Sequence, residues 1–113
     1  MPRDPRVYLD DILEAITQIE SYVEGMDFES FSKDRKTIDA AIRNLEIIGE
    51  AARALPDSIK RKTSGDEWHK MIGLRNILIH EYFGVNTVIV WDIITKKLTV
   101  MKQEVKKALD SIS

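Results

Sequence analysis

Cysteine is absent. That excludes a disulfide scaffold, a thiolate metal site, a CxxC redox pair and a cysteine nucleophile. Histidine is scarce: His69 and His80 are the only two, so a histidine-rich metal site is not expected. Five glycines and three prolines are too few for a loop-rich all-β domain and suit a helical one. No apolar run approaches the ~20 residues that span a bilayer, so no membrane association is expected. The first residues, MPRDPRVYLDD, are charged and lack an apolar h-region, so no signal peptide is expected and a cytoplasmic location is the default. An excess of charge of either sign is also lacking. The net charge is −2, which argues against a generic polyanion binder.

The charge is nevertheless unevenly placed. Residues 1–34 hold three basic and nine acidic side chains, and residues 35–113 hold fourteen and ten. A nucleic-acid surface is therefore expected in the second part, with the first facing solvent or a basic partner.

The 113 residues, 43 % apolar and 32 % charged, suit one domain over 1–113 with a core that needs no staples. The apolar residues recur at helical spacing. Leu9, Ile12, Ile16, Ile19 and Val23 predict a helix from about Pro5 to Glu24, with Asp4 as its cap, Pro5 at its first position and Gly25 just past its end. After a break at Met26, Asp27 and Phe28, a second long helix is predicted over about Lys33 to Leu55. It carries Ile38, Ala41, Leu45, Ile48, Ala52 and Leu55 on one face and is stopped by Pro56. Gly49 lies inside that helix and costs about 1 kcal/mol relative to alanine, which suggests close helix packing there. Residues 57–65 form a connector with at most one helical turn. A third helix is predicted from Asp66 to about Phe83, where Gly84 stops it. From Asn86 to Ile112 the chain is mostly helical, although Val88, Ile89 and Val90 favour strand, and a bend is expected near Lys96 to Thr99. The expected architecture is an all-α antiparallel up-and-down bundle of four to five helices.

Chemistry concentrates in the third helix. With Arg75 at the origin of a helical wheel, Trp68, Met71, Ile72, Leu78, Ile79 and Tyr82 fall within about 60° of it. The wheel thus places Arg75 at the centre of the apolar stripe, where a guanidinium needs an anionic partner. Two alternatives stand: a structural ion pair with Glu46 or Glu50, or a crevice or subunit seam in which Arg75 grips a phosphate. His69, Gly73, Asn76 and His80 follow one another along the flank at spacings of four, three and four. Asn76 and His80 can touch, and Gly73 removes bulk beside them so that a backbone or a ligand can approach. The two histidines lie about 16 Å apart along the axis, too far to share one metal. Histidine titrates near neutrality, so His80 suits general acid or base work. Arg75 and His80 are about 140° apart on an ideal helix. Either the helix loosens near its end, or two copies pack so that each site draws on both chains. A symmetric dimer is the simpler route.

The segment Arg75-Asn76-Ile77-Leu78-Ile79-His80-Glu81-Tyr82 matches R-x4-H-x-Y with a polar residue after the arginine. It resembles the HEPN superfamily and, within it, the HepT-like toxins. LEIIGEAA at 45–52, WHKMIGLRNILIHEY at 68–82 and FGV at 83–85 followed by Val90-Trp91 are similar to that family in order and spacing, so the likeness covers nearly the whole chain. Thr99 departs from it, where relatives tend to carry proline; the departure touches only the bend in the last helix.

The resemblance implies a HEPN-like bundle that dimerises through the motif helix. It also implies a metal-independent endoribonuclease that serves as the toxin of a toxin–antitoxin pair and takes no cofactor. The implied partner is an MntA-like nucleotidyltransferase antitoxin that silences the toxin by adenylylating the motif tyrosine, here Tyr82. The residue types fit such a reaction. RNA carries its own nucleophile in the 2′-OH; a base removes that proton, an acid protonates the leaving 5′-oxygen, and a cation steadies the phosphorane. His80 is the expected base or acid, Arg75 the phosphate holder and Asn76 the orienting group, with 2′,3′-cyclic phosphate and 5′-OH ends as products. Tyr82 lies seven residues after Arg75, on the same stripe, so a nucleotide on its hydroxyl would bring a phosphate and bulk to the arginine. Lys60, Arg61 and Lys62 precede the motif helix and are candidates for following an RNA backbone; a solvated loop is the plain alternative. The C-terminal lysines are expected on a solvated face, and Trp68 and Trp91 in a core or interface. A different class of function also fits: a non-catalytic HEPN dimer that holds a nucleotide or its transferase partner, in keeping with the acidic balance.

Overall fold

The computed structural model describes residues 3–63, 66–80 and 86–112, with the side chains of Ile79 and His80 excepted. The first helix, α1 (Pro5–Val23), begins where Asp4 accepts a hydrogen bond from the Arg6 backbone N–H and where Pro5 needs no donor. Its predicted stripe is its buried face: Leu9, Ile12, Ile16 and Ile19 are fully enclosed. Gly25 follows the end with φ +78°, the left-handed conformation that favours glycine.

The stretch expected to be a break and a helix start holds a helix of its own. This short α2 (Phe28–Lys33) is capped reciprocally: the Asp27 carboxylate accepts from the Ser30 N–H at 2.8 Å, and Ser30 Oγ accepts from the Asp27 N–H at 3.1 Å. Phe31 is its one buried anchor and meets Trp91 with ring centroids 4.9 Å apart. Asp34 then caps the longest helix, α3 (Arg35–Ala54), whose predicted apolar positions from Ile38 to Leu55 are all buried. After Pro56 the connector makes one turn, α4 (Asp57–Lys60).

The motif helix is α5 (Asp66–His80). The last stretch is helical throughout its described length: α6 (Thr87–Asp92), a π-helical turn over Ile93–Lys97, and α7 (Leu98–Ile112). The strand preference of Val88 to Val90 loses to packing, since Val90 is buried among helices. In place of the bend expected near Lys96 to Thr99, the helix continues through a π turn at Ile93–Lys97. There Thr95 Oγ1 donates to the Trp91 carbonyl at 2.8 Å, and the wider turn rephases the rod so that Val90, Ile93, Ile94 and Leu98 all face inward.

Four rods make the bundle. Helix α3 lies between α1 and α5, and α7 closes the ring against both α1 and α5. Neighbours in sequence are neighbours in space, which with short connections gives the up-and-down arrangement. One contiguous apolar core runs from Leu9 to Ala108. Among the described residues no helix is long and apolar enough to cross a membrane.

Two exposed caps make the fold sensitive to acid. Backbone N–H donors, Ser30 for Asp27 and Thr37 for Asp34, hold both carboxyls below their ordinary value. A folded-state pKa that is depressed adds stability above the unfolded value and loses it as pH falls through the folded one. Thermal melts are therefore expected to show stability falling below about pH 4. The Asp27→Asn/Asp34→Asn double variant, which keeps an acceptor but cannot titrate, should lose less over that range.

Candidate active site

Helix α5 is held against α3 by a near-contact of backbones. A Cβ built on Gly49 would lie 3.2 Å from the Met71 carbonyl oxygen, 3.4 Å from the Arg75 nitrogen and 3.5 Å from the Arg75 Cβ. Only glycine lets the two rods approach so closely without displacement, as its place inside a helix suggested. The crossing fixes the backbone of Arg75 directly.

The side chain of Arg75 then leaves the core. It is exposed, which corrects its expected place at the centre of the apolar stripe. Among the described side chains of α5 the buried ones are Glu67, Trp68, Met71, Leu74 and Leu78, while Ile72 is half-buried and Ile77 exposed. Their centre lies about 50° from Arg75, on the Leu74 side, because α3 and α7 cover α5 from there. Arg75 stands at the margin, with its Cβ at the crossing and its guanidinium outside. Among the described residues it makes no ion pair; Glu46 is half-buried, Glu50 exposed, and neither pairs with it. Among the described residues, the structural alternative of a buried ion pair with Glu46 or Glu50 is thus not realised.

Asn76 is exposed beside it, and His69 is exposed two turns earlier on the same flank. Between them Gly73 faces open space: a Cβ there would meet nothing within 4 Å. The backbone of α5 stays α-helical as far as His80. The side chain of His80 and the whole of Tyr82 lie outside the described residues, so the structure places neither group. His69 and Asn76 therefore share an open flank with Gly73, bare as its spacing implied, while Arg75 emerges about 100° round the helix from Asn76. Of the basic run, Arg61 and Lys62 are exposed and Lys60 is half-buried, with its ammonium 3.8 Å from Asp57. Trp68 is enclosed, and its indole N–H donates to Thr63 Oγ1 at 2.8 Å. Sequence reasoning missed both this bond and the burial of Leu74; the five-residue step from Thr63 to Trp68 was the available signal for the first. Among the described residues no group of three or more His, Asp or Glu side chains is placed to hold a metal ion.

An exposed guanidinium beside a carboxamide can receive a phosphate in a bidentate grip and hydrogen-bond its remaining oxygens.

Comparison with known proteins places this surface in context. A family model described as "Ribonuclease HepT-like" matches residues 12–108. "Putative RNase TTE0752" of Caldanaerobacter subterraneus subsp. tengcongensis is 42% identical, covering 95% of this chain and 96% of that protein. "Putative RNase MJ0127" of Methanocaldococcus jannaschii is 42% identical over 99% of this chain and 93% of its own. "Probable ribonuclease HepT" of Thermococcus cleftensis is 40% identical over 95% and 97%. No solved structure matches the chain.

Three substitutions separate packing from surface chemistry. In urea unfolding, Gly49→Leu should cost about 1–3 kcal/mol by overpacking the crossing, whereas Gly73→Ala should add about 0.5–1 kcal/mol. Arg75→Ala should stay within about 0.5 kcal/mol of the parent; a loss of about 3–5 kcal/mol would reveal a buried ion pair instead.

Proposed function

Because the chain belongs to the HepT-like ribonuclease family, we propose that it cleaves RNA internally without a metal and acts as the toxin of a toxin–antitoxin pair. The observation that carries this reading is Arg75: an exposed guanidinium, unpaired among the described residues, set beside Asn76 on a helix whose backbone is pinned at Gly49. Among the described residues such a cation has no ion-pair partner, which leaves it suited to hold the scissile phosphate.

In the proposed reaction the 2′-OH of the substrate attacks the adjacent phosphorus. His80 takes or gives the proton, Arg75 balances the charge of the phosphorane and Asn76 orients the reacting groups. The P–O5′ bond breaks, leaving a 2′,3′-cyclic phosphate and a 5′-hydroxyl. The unbroken α-helical backbone through His80 supports the two-chain route. It keeps Arg75 and His80 about 140° apart within one helix, so a homodimer through α5 brings the arginine of one copy to the histidine of the other.

Silencing follows the same electrostatics. An MntA-like nucleotidyltransferase antitoxin would join the Tyr82 hydroxyl oxygen to the α-phosphorus of ATP, with pyrophosphate leaving and the phenolic proton passing to solvent. By its seven-residue spacing from Arg75, the added phosphate would compete for the guanidinium and fill the site.

Cleavage of RNA by unmodified protein in excess EDTA tests the proposal. The wild type should cut and leave cyclic phosphate ends, and His80→Ala should be slower by about 10²–10⁴-fold. Failure to cut any RNA class by protein of unmodified mass would instead favour the non-catalytic dimer that binds a nucleotide or its transferase.

A further inference from the structure

A groove opens beside the first turns of α5, away from Arg75. It has a volume of about 430 Å³ and is lined by Asp57, Lys60, Arg61, Thr63, Trp68, His69 and Ile72. That volume suits a nucleotide-sized occupant. Its wall is fixed rather than loose. The Trp68 indole N–H donates to Thr63 Oγ1 at 2.8 Å, and that hydroxyl donates to the Lys60 carbonyl at 3.3 Å. The Arg61 N–H donates to the Asp57 carbonyl at 2.9 Å. This chain of bonds fastens the connector to α5 and sets the Lys60 and Arg61 side chains at the groove's rim. The groove combines an apolar wall from Trp68 and Ile72 with the Arg61 guanidinium, the His69 imidazole and the Lys60 ammonium, which stands 3.8 Å from the Asp57 carboxylate of the same wall.

The groove also leads somewhere. His69 lines it, and Asn76 lies two helical turns further along the same flank, about 10 Å away. Between them stands Gly73, where a Cβ would touch nothing. A bare helix surface thus joins the groove to the exposed Asn76.

We propose that this groove is an RNA subsite. It holds a nucleotide flanking the scissile one, with Arg61 on its phosphate and the base over Ile72. The strand runs along the flank past Gly73 to Asn76, from which Arg75 stands about 100° round the helix. The inference rests on the ribonuclease reading above and adds the direction in which the substrate runs. Trp68 gives no stacking face, because it is enclosed; the subsite therefore grips backbone and tolerates different bases.

The test uses a fluorescein-labelled single-stranded RNA 16-mer, fully 2′-O-methylated so that it has no nucleophile, bound to the whole purified protein across a range of salt. Arg61→Gln removes an exposed cation without disturbing the fold, and Gly73→Gln places a side chain across the path. Both should weaken binding about tenfold, and Arg61→Gln should reduce the slope of log affinity against log salt by about one. Lys107→Gln, an equal charge loss on the exposed face of α7, should leave binding unchanged. Equal behaviour of Arg61→Gln and Lys107→Gln, in a protein that still cleaves unmethylated RNA, would overturn the subsite and leave the ribonuclease reading standing. Displacement of the 16-mer by micromolar AMP would assign the groove to a free nucleotide and overturn the strand path. A wild type that neither binds the probe nor cleaves RNA would overturn both.

Discussion

The contact of α3 with α5 at Gly49 is the constraint on which the rest depends. The absent side chain lets the backbone at Met71 and Arg75 come within contact distance of α3. That approach sets the depth at which α5 sits, and depth decides what emerges from the bundle. With α5 this close, Met71, Leu74 and Leu78 fill the space between α3 and α7. Arg75 is carried to the margin with its stem at the crossing and its charge in solvent. A larger residue at position 49 would lift α5, loosen the core and move the guanidinium together.

The remaining elements serve to hold that crossing. Helix α1 backs α3 along its length, and α7 bridges α1 and α5. The π turn at Ile93–Lys97 keeps both halves of the last rod facing the core. The short α2 fastens the other end through Phe31 against Trp91. Charge follows the same division of labour. Cations such as Lys96 and Lys102 are tied to Asp92 and Glu20 by ion pairs on the surface, whereas Arg75 and Arg61 have no such partner among the described residues. The acidic balance of the whole chain therefore says little about the local surface that RNA would meet.

The long helices were legible because each has one apolar face at regular spacing: Leu9 to Ile19 in α1 and Ile38 to Leu55 in α3 are buried as read. The capping glycine, the stop at Pro56 and the irregularity before Leu98 carry equally local signals. Helix α5 was legible as a helix but not in its rotation. Leu74 and Ile77 put apolar side chains almost all round it, so periodicity alone cannot say which face the neighbours cover. That choice is made by α3 and α7, and it moved Arg75 from the presumed centre to the edge. Helix α2 was hidden for another reason: six residues with one buried side chain leave no periodicity to detect, and the Asp27–Ser30 cap was its only mark. The groove beside α4 depends on Thr63 reaching Trp68, a hydrogen bond across five residues whose only sequence mark is that short step.

The proposed site joins Arg75 of one copy to His80 of the other, and mixing two inactive variants tests that joining directly. Arg75→Ala and His80→Ala proteins, each inactive alone, are combined and allowed to exchange subunits before RNA cleavage is measured. Random exchange makes half the dimers mixed, and each mixed dimer has one intact Arg75–His80 pair across the seam. About a quarter of wild-type activity should return. A mixture that stays as inactive as its components, once subunit exchange is demonstrated, would contradict a site shared in this way.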